Sequence, residues 1–207
     1  MPAERKRPWY LVLALLGALA LGTTGACNGW AAVTLYREPI DVSLSGQGIS
    51  DPADRAAVEA RVDAYVRTLD GAKSRGWPIA VAGLLLGGAM VMFSMRALGG
   101  IRGARAVLVQ LAVVQAALNG ASYWLLRDVM DADTRWREAS QVADVHERVP
   151  DRSRADEMLG ATMGLVRARN PIGLVLSTLG SVLVVVALTR RRSREFFDAA
   201  AAAIEER

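Results

Sequence analysis

Apolar and charged positions fall in long blocks along this chain. Four stretches hold no charged residue at all: Pro8 to Tyr36, Gly76 to Met95, Ala106 to Leu126 and Asn170 to Thr189. At about 1.5 Å per helical residue, each is long enough to cross a hydrocarbon core of roughly 30 Å. The blocks predict four transmembrane helices, over about residues 9–36, 77–95, 106–126 and 171–189, in a single membrane domain covering 1–207. The connections are unequal. Loops 37–75 and 127–169 are large, whereas residues 96–105 make a short link between the second and third spans, so both large loops lie on one side.

Inside the loops the pattern changes to helical spacing. Ser50 or Asp51 is placed to cap a helix with Pro52 in its first turn, and Val58, Val62, Tyr65 and Leu69 then recur at steps of three or four. Ala155, Met158 or Leu159, Thr162 or Met163, and Val166 form a similar stripe, and Trp136, Val142, Val145 and Val149 a weaker one. Ile40 to Leu44 alternates apolar and polar positions, which predicts a short strand or an extended arm. These segments predict a small helical extracytoplasmic cap, with Val58, Val62, Tyr65 and Leu69 as its partner surface. Pro78 and Pro171 stand where the loop helices meet the spans, and Trp9, Tyr10, Trp77, Tyr123 and Trp124 lie near span ends, as interfacial aromatics do.

The two halves align with one another. A shift of 91 residues sets Ala26, Asn28, Gly29 and Leu35 on Ala117, Asn119, Gly120 and Leu126. A shift of 93 sets Pro78, Ile79, Leu86, Gly87 and Val91 on Pro171, Ile172, Leu179, Gly180 and Val184, and Arg61 and Asp63 on Arg154 and Asp156. The aliphatic matches follow from composition alone, but the recurring Asn and Pro do not. The fold expected is therefore an all-α integral membrane protein whose four helices form two parallel-duplicated hairpins, related by an axis along the membrane normal.

Polar residues inside the spans are spaced to share helix faces. Thr24 and Asn28 are one turn apart, as are Gln115 and Asn119, with Ser122 nearly a turn further. Amides facing lipid lack partners, so this seam is expected to point inward, either as interhelical hydrogen bonds or as the lining of a permeation path. Gly25 and Gly29, Gly83 and Gly87, and Ala116 and Gly120 have the spacing that lets helix backbones approach closely, as do Ser177 and Ser181.

Charge then orients the chain. Of 207 residues 52% are hydrophobic and 22% charged, with a formal net charge of +4, so the charge is concentrated outside the spans. The termini and the short loop carry 11 of the 25 basic residues in far less length than the two large loops. Arg5, Lys6 and Arg7, then Arg96, Arg102 and Arg105, and finally Arg190, Arg191, Arg192 and Arg194 abut span ends. By the positive-inside rule both termini are cytoplasmic, and a multi-pass bacterial inner-membrane protein is expected. These clusters meet anionic lipid headgroups, so the lipid bilayer rather than nucleic acid is the expected contact.

Cys27, the sole cysteine, lies inside the first apolar run. Tetraspanins and claudins share the layout of two unequal outer loops, but they depend on paired cysteines there, which this chain does not have. Arg5, Lys6 and Arg7, an apolar run, and then Thr24, Gly25, Ala26 and Cys27 resemble a bacterial lipoprotein signal peptide, which implies cleavage before Cys27 and a lipid on it. Against that alternative, the apolar run continues past the cysteine through Leu35.

No span contains Asp, Glu, Lys, Arg or His, which disfavours ion-coupled transport. His146, the sole histidine, stands among Asp144, Glu147 and Arg148, and reads as solvated surface. No catalytic constellation, metal site or cofactor is implied. The leading expectation is a non-enzymatic subunit or scaffold that binds a membrane or periplasmic protein, or a second copy of itself, through the outer helices. The rival is a small channel or passive transporter lined by Asn28, Gln115 and Asn119; a membrane enzyme with a cofactor supplied by a partner is a third class.

Overall fold

The computed structural model describes residues 8–38, 40, 42–149 and 151–205. It is helical almost throughout, with no strand among the described residues. Seven helices follow in order: α1 (Trp9–Arg37), α2 (Val42–Ser45), α3 (Pro52–Leu98), α4 (Arg102–Leu125), α5 (Arg127–Arg148), α6 (Arg152–Thr189) and α7 (Arg191–Glu205). Helices α1, α3, α4 and α6 are each long and apolar enough to cross a membrane, which supports a multi-pass membrane protein.

Local chemistry explains most of the ends. Asp51 Oδ1 accepts the Ala53 amide at 2.8 Å, so an aspartate caps α3 with Pro52 in first position. Asp151 does the same for α6, accepting the Ser153 amide at 3.0 Å. At the other end of α3, Gly100 adopts φ 84°, and the amides of Gly100 and Ile101 turn back to the carbonyls of Ala97 and Arg96 at 3.0 and 3.3 Å. That left-handed turn favours glycine and reverses the chain into α4 within three residues. Of the stretch Ile40 to Leu44 read as a strand or arm, Asp41 lies outside the described residues and Val42 to Leu44 belong instead to α2, a single helical turn closed by Ser45 Oγ donating to the Val42 carbonyl at 2.6 Å. Alternation over so few residues does not outweigh a serine able to close a turn on itself.

Pro78 and Pro171 lie inside α3 and α6, and neither ends its helix. The helices expected in the loops are thus continuous with the spans that follow them. A proline removes one backbone hydrogen bond, and a long apolar segment on its far side sustains the helix through that loss.

The chain divides into two compact units. One takes α1 as far as Val33, then Ile79–Ala121 and the residues from Val175 onward; the other comprises Thr34–Pro78 and Ser122–Leu174. In the first unit the core brings together Leu11, Leu15 and Ala18 of α1, Met90 and Ala97 of α3, Leu108 of α4, Val184 and Leu188 of α6, and Phe197 of α7. The second unit has a smaller core of Val58 and Val62 from α3 and Ala143 from α5, flanked by Ile40, Val42, Ile49, Val66 and Trp136.

The terminal helix α7 was not foreseen from the sequence. Phe197 is completely buried, and Ser193 Oγ donates to the Ala187 carbonyl at 2.7 Å, closing the step from α6 to α7. Arg105 Nη1 donates to the Leu188 carbonyl at 3.1 Å, satisfying an end group that α6 leaves open. Arg190 lies over the ring of Tyr10, 5.4 Å from its centre.

Candidate functional site

In the first unit the close-packing residues sort cleanly. A Cβ on Gly29 would fall 2.4 Å from the Leu84 amide nitrogen, and one on Gly87 would fall 2.3 Å from that of Ala26. Gly22, which the sequence reading did not single out, is confined as well, though less tightly, with Met90 Cβ and the Val91 nitrogen at 2.9 Å. These glycines bring α1 and α3 into backbone contact inside one chain. Gly25 is less tight: its Cβ would stand 3.6 Å from Gly87 Cα and 3.7 Å from Gln115 Nε2. Gly83 and Gly120 have nothing within 4 Å of that position, and so do not pack as expected. Ala116 is half-buried. The match between Gly29 and Gly120 in sequence therefore does not extend to their surroundings.

The polar seam divides as well. Gln115 is 5% exposed and donates from Nε2 to Asn119 Oδ1 at 3.0 Å, while its carbonyl oxygen is buried with no partner among the described residues. Thr24 and Asn28 lie on the exposed side of α1, and Ser122 is half-buried. The expectation that both polar faces point inward is corrected for α1. Its Gly22–Gly29 face packs on α3, and Thr24 and Asn28 lie off that face and are exposed. Asn28 is therefore not brought together with Gln115 and Asn119 within the chain. Cys27 is also exposed, and cleavage before it would remove Leu11, Leu15 and Ala18 from the core.

The second unit corrects the assignment of a partner surface. Val58, Val62, Tyr65 and Leu69 are at most 5% exposed and form its interior rather than a docking stripe. Tyr65 stacks on Trp136 of α5, with centres 5.4 Å apart and planes 24° from parallel. Burial, followed by the nearby Asp133 carboxylate, pushes the Tyr65 phenol up to about 12. On the other side of the seam Arg75 pairs with Asp128, and Gly76 makes room for the Tyr36 hydroxyl.

Polar ties join segments remote in sequence. Ser50 donates its amide and its hydroxyl to the two oxygens of Glu147, at 3.2 and 2.6 Å. Both bonds hold the exposed Glu147 carboxyl below its ordinary range. His146 Nδ1 lies 2.8 Å from Asp54 Oδ2, both side chains 18% exposed, so this histidine is not the solvated surface residue expected from its neighbours in sequence. Arg152 donates to Asp51 at 2.8 Å. Together these contacts fasten the start of α3 to the end of α5 and the start of α6. Further along, Arg167 Nε donates to Glu138 at 2.6 Å, which raises the arginine above its usual range. Nothing in the spacing of these residues marked the pairs, because each joins positions far apart along the chain.

Along the α3–α5 seam runs a shallow cleft of about 320 Å³, lined by Arg61, Ala64 and Thr68 from one helix and Asp128, Asp131, Ala132 and Arg135 from the other. The alanines leave the notch and the charged residues edge it. Comparison with known protein families, with curated proteins and with solved structures finds no match to this chain.

Proposed function

We propose that this chain is a non-catalytic subunit of a membrane assembly, a scaffold that holds a partner protein on the unit formed by Thr34–Pro78 and Ser122–Leu174. The supporting observation is that this unit carries its own apolar core, cross-tied by Ser50–Glu147, His146–Asp54 and Asp51–Arg152. A surface ordered before a partner arrives loses less conformational freedom on binding than one that must fold around it. Since the Val58–Leu69 stripe is consumed internally, the docking surface is moved to the charged edges of the cleft, chiefly Arg61, Asp131 and Arg135. Mixed charges there set orientation and discriminate between partners. The basic clusters at Arg96 to Arg105 and Arg190 to Arg194 favour cytoplasmic termini, with residues 37–75 and 127–169 outside, in a bacterial inner membrane.

The test is affinity purification of the intact protein in mild detergent, followed by identification of the chains retained. Arg61→Glu with Arg135→Glu is expected to release a specific partner by at least tenfold while leaving Trp136 fluorescence unchanged. A partner retained at full yield by the double variant would move the surface elsewhere, and wild type purifying with no other protein would defeat the scaffold reading.

A further inference from the structure

Several hydroxyls within the spans return to their own helix. Thr23 donates to the Leu19 carbonyl at 2.9 Å, Ser181 to that of Ser177 at 2.9 Å and Thr189 to that of Val185 at 2.8 Å, whereas Gln115 donates to Asn119 but leaves its carbonyl oxygen without a partner among the described residues. A hydroxyl can return to its own helix in this way, but an amide has a donor and an acceptor end and cannot place both there. Asn28 is exposed on α1 and makes no hydrogen bond among the described residues. Gln110 of α4 is also exposed, but it lies five residues from Arg105 at the edge of its apolar run, where a long side chain reaches the interface. Asn28 has a short side chain and sits nine residues from Arg37. Its neighbour Gly29 abuts Leu84, which is seven residues, or about 10 Å along the helix, from Trp77 near the start of the apolar run. In a membrane-spanning α1 the amide therefore lies well inside the apolar run, where lipid offers it no partner.

We propose that this face of α1 is covered by the same face of a second copy of the chain, with the two Asn28 side chains bonded to each other across a two-fold axis. An amide is its own complement: each copy donates one N–H and accepts at its carbonyl, so the pair closes two reciprocal bonds and leaves a single N–H on each side. The surrounding face suits that contact. Ala20, Thr24, Cys27 and Ala31 are all exposed there, all small and all uncharged, so identical surfaces approach closely without like-charge repulsion. Gly22 and Gly29 engage α3 on another side of the helix, and Gly17 and Leu21 meet Val184 and Gly180 of α6 nearer its start, while Thr24, Cys27 and Asn28 stay exposed. The contact is separate from the outer surface proposed for a partner protein and stands without it.

The sole cysteine makes the contact measurable in the unaltered protein. Intact chain reconstituted into phosphatidylethanolamine–phosphatidylglycerol vesicles is treated with a short membrane-permeant bis-maleimide, which bridges two Cys27 thiols. The expected product is a covalent dimer at twice the 22.2 kDa chain mass, with a yield that holds as lipid is added in excess. Asn28→Leu is expected to lower that yield about tenfold, whereas Asn28→Gln, which keeps a two-ended amide, is expected to retain most of it. Both side chains face outward, so the variants should keep the wild-type protease resistance of the folded chain, which separates lost contact from lost fold. Dimer yield that dilutes away with lipid, or that is unchanged in Asn28→Leu, would overturn the proposal. So would cross-linking of Cys27 in native membranes only to a different protein.

Discussion

The two units bury side chains for opposite reasons. In the first, α1 meets α3 through Gly22, Gly29 and Gly87, and the tightest approaches are between backbone atoms. In the second, α3 meets α5 through Val62, Tyr65 and Trp136, and charged side chains tie the helix ends. Lipid tails are as apolar as leucine, so helices in a membrane gain little by hiding apolar groups and associate through close contact. In water, burying valine and tryptophan is itself favourable, and polar groups join to close the ends. A single helix, α3, packs in the first manner beyond Ile79 and in the second before Pro78.

The sharpest way to break this contrast is to add side chains to the glycines. Gly87→Leu places a branched chain where even a Cβ would be 2.3 Å from a backbone nitrogen, so the first unit is expected to lose its α1–α3 contact, a loss of roughly 3 kcal/mol or more. Gly120→Leu, at a position with open space around it, is expected to be nearly neutral. Detergent unfolding curves of the purified variants measure both, and equal losses would show that backbone approach does not hold the first unit.

Val62→Ser puts a hydroxyl into the wholly buried centre of the second unit and is expected to cost about 2 kcal/mol. Hydrogen exchange should rise over residues 52–75 and 127–148 while the core around Leu15, Met90 and Leu108 stays protected. Exchange rising equally in both would dissolve the boundary between them. Asp51→Ala removes both the α3 cap and the carboxylate that receives Arg152, for an expected loss of about 1 kcal/mol, seen as a lower thermal midpoint.

Acid tests the ties more gently. The Glu147 carboxyl is held below its unfolded value by Ser50, so its contribution is present above the ordinary carboxylate range and is lost as pH falls through its folded value. Exchange at Ser50 and around Glu147 should therefore quicken on acidification, and Ser50→Ala should flatten that dependence. Tyr65 has the reverse sign: its phenol is raised, so its contribution is full below the unfolded value and lost as pH rises through about 12. Alkaline absorbance titration should show a late-ionising tyrosine that disappears in Tyr65→Phe; normal ionisation of Tyr65 would contradict its burial against Trp136.

What could be read from the sequence was whatever depends on neighbours along the chain. Uncharged blocks marked four helices long enough to cross a membrane, Ser50 or Asp51 with Pro52 marked the start of α3, and helical spacing marked which side of α3 is buried. The spacing of Val58, Val62, Tyr65 and Leu69 identified an apolar face but not what covers it, and α5 covers it. Thr24 and Asn28 were misplaced for a related reason: periodicity gives the angle between residues, whereas the choice of inward face was made by Gly22 and Gly29. Phe197 escaped notice because α7 is too short and too charged to register as a span, although Phe196, Phe197 and Ala200 have the spacing of a buried side.

The ties of the second unit close very long loops. Ser50 and Glu147 are separated by 97 residues, Asp54 and His146 by 92, and Asp51 and Arg152 by 101. Contacts of such sequence separation form late, because the entropy of loop closure is lost before the contact returns anything. A ribosome that has finished α3 has made the Val58–Leu69 stripe but not yet Trp136 or Ala143. For that interval the growing chain carries a bare apolar helix face, and its rescue depends on how soon the second half arrives.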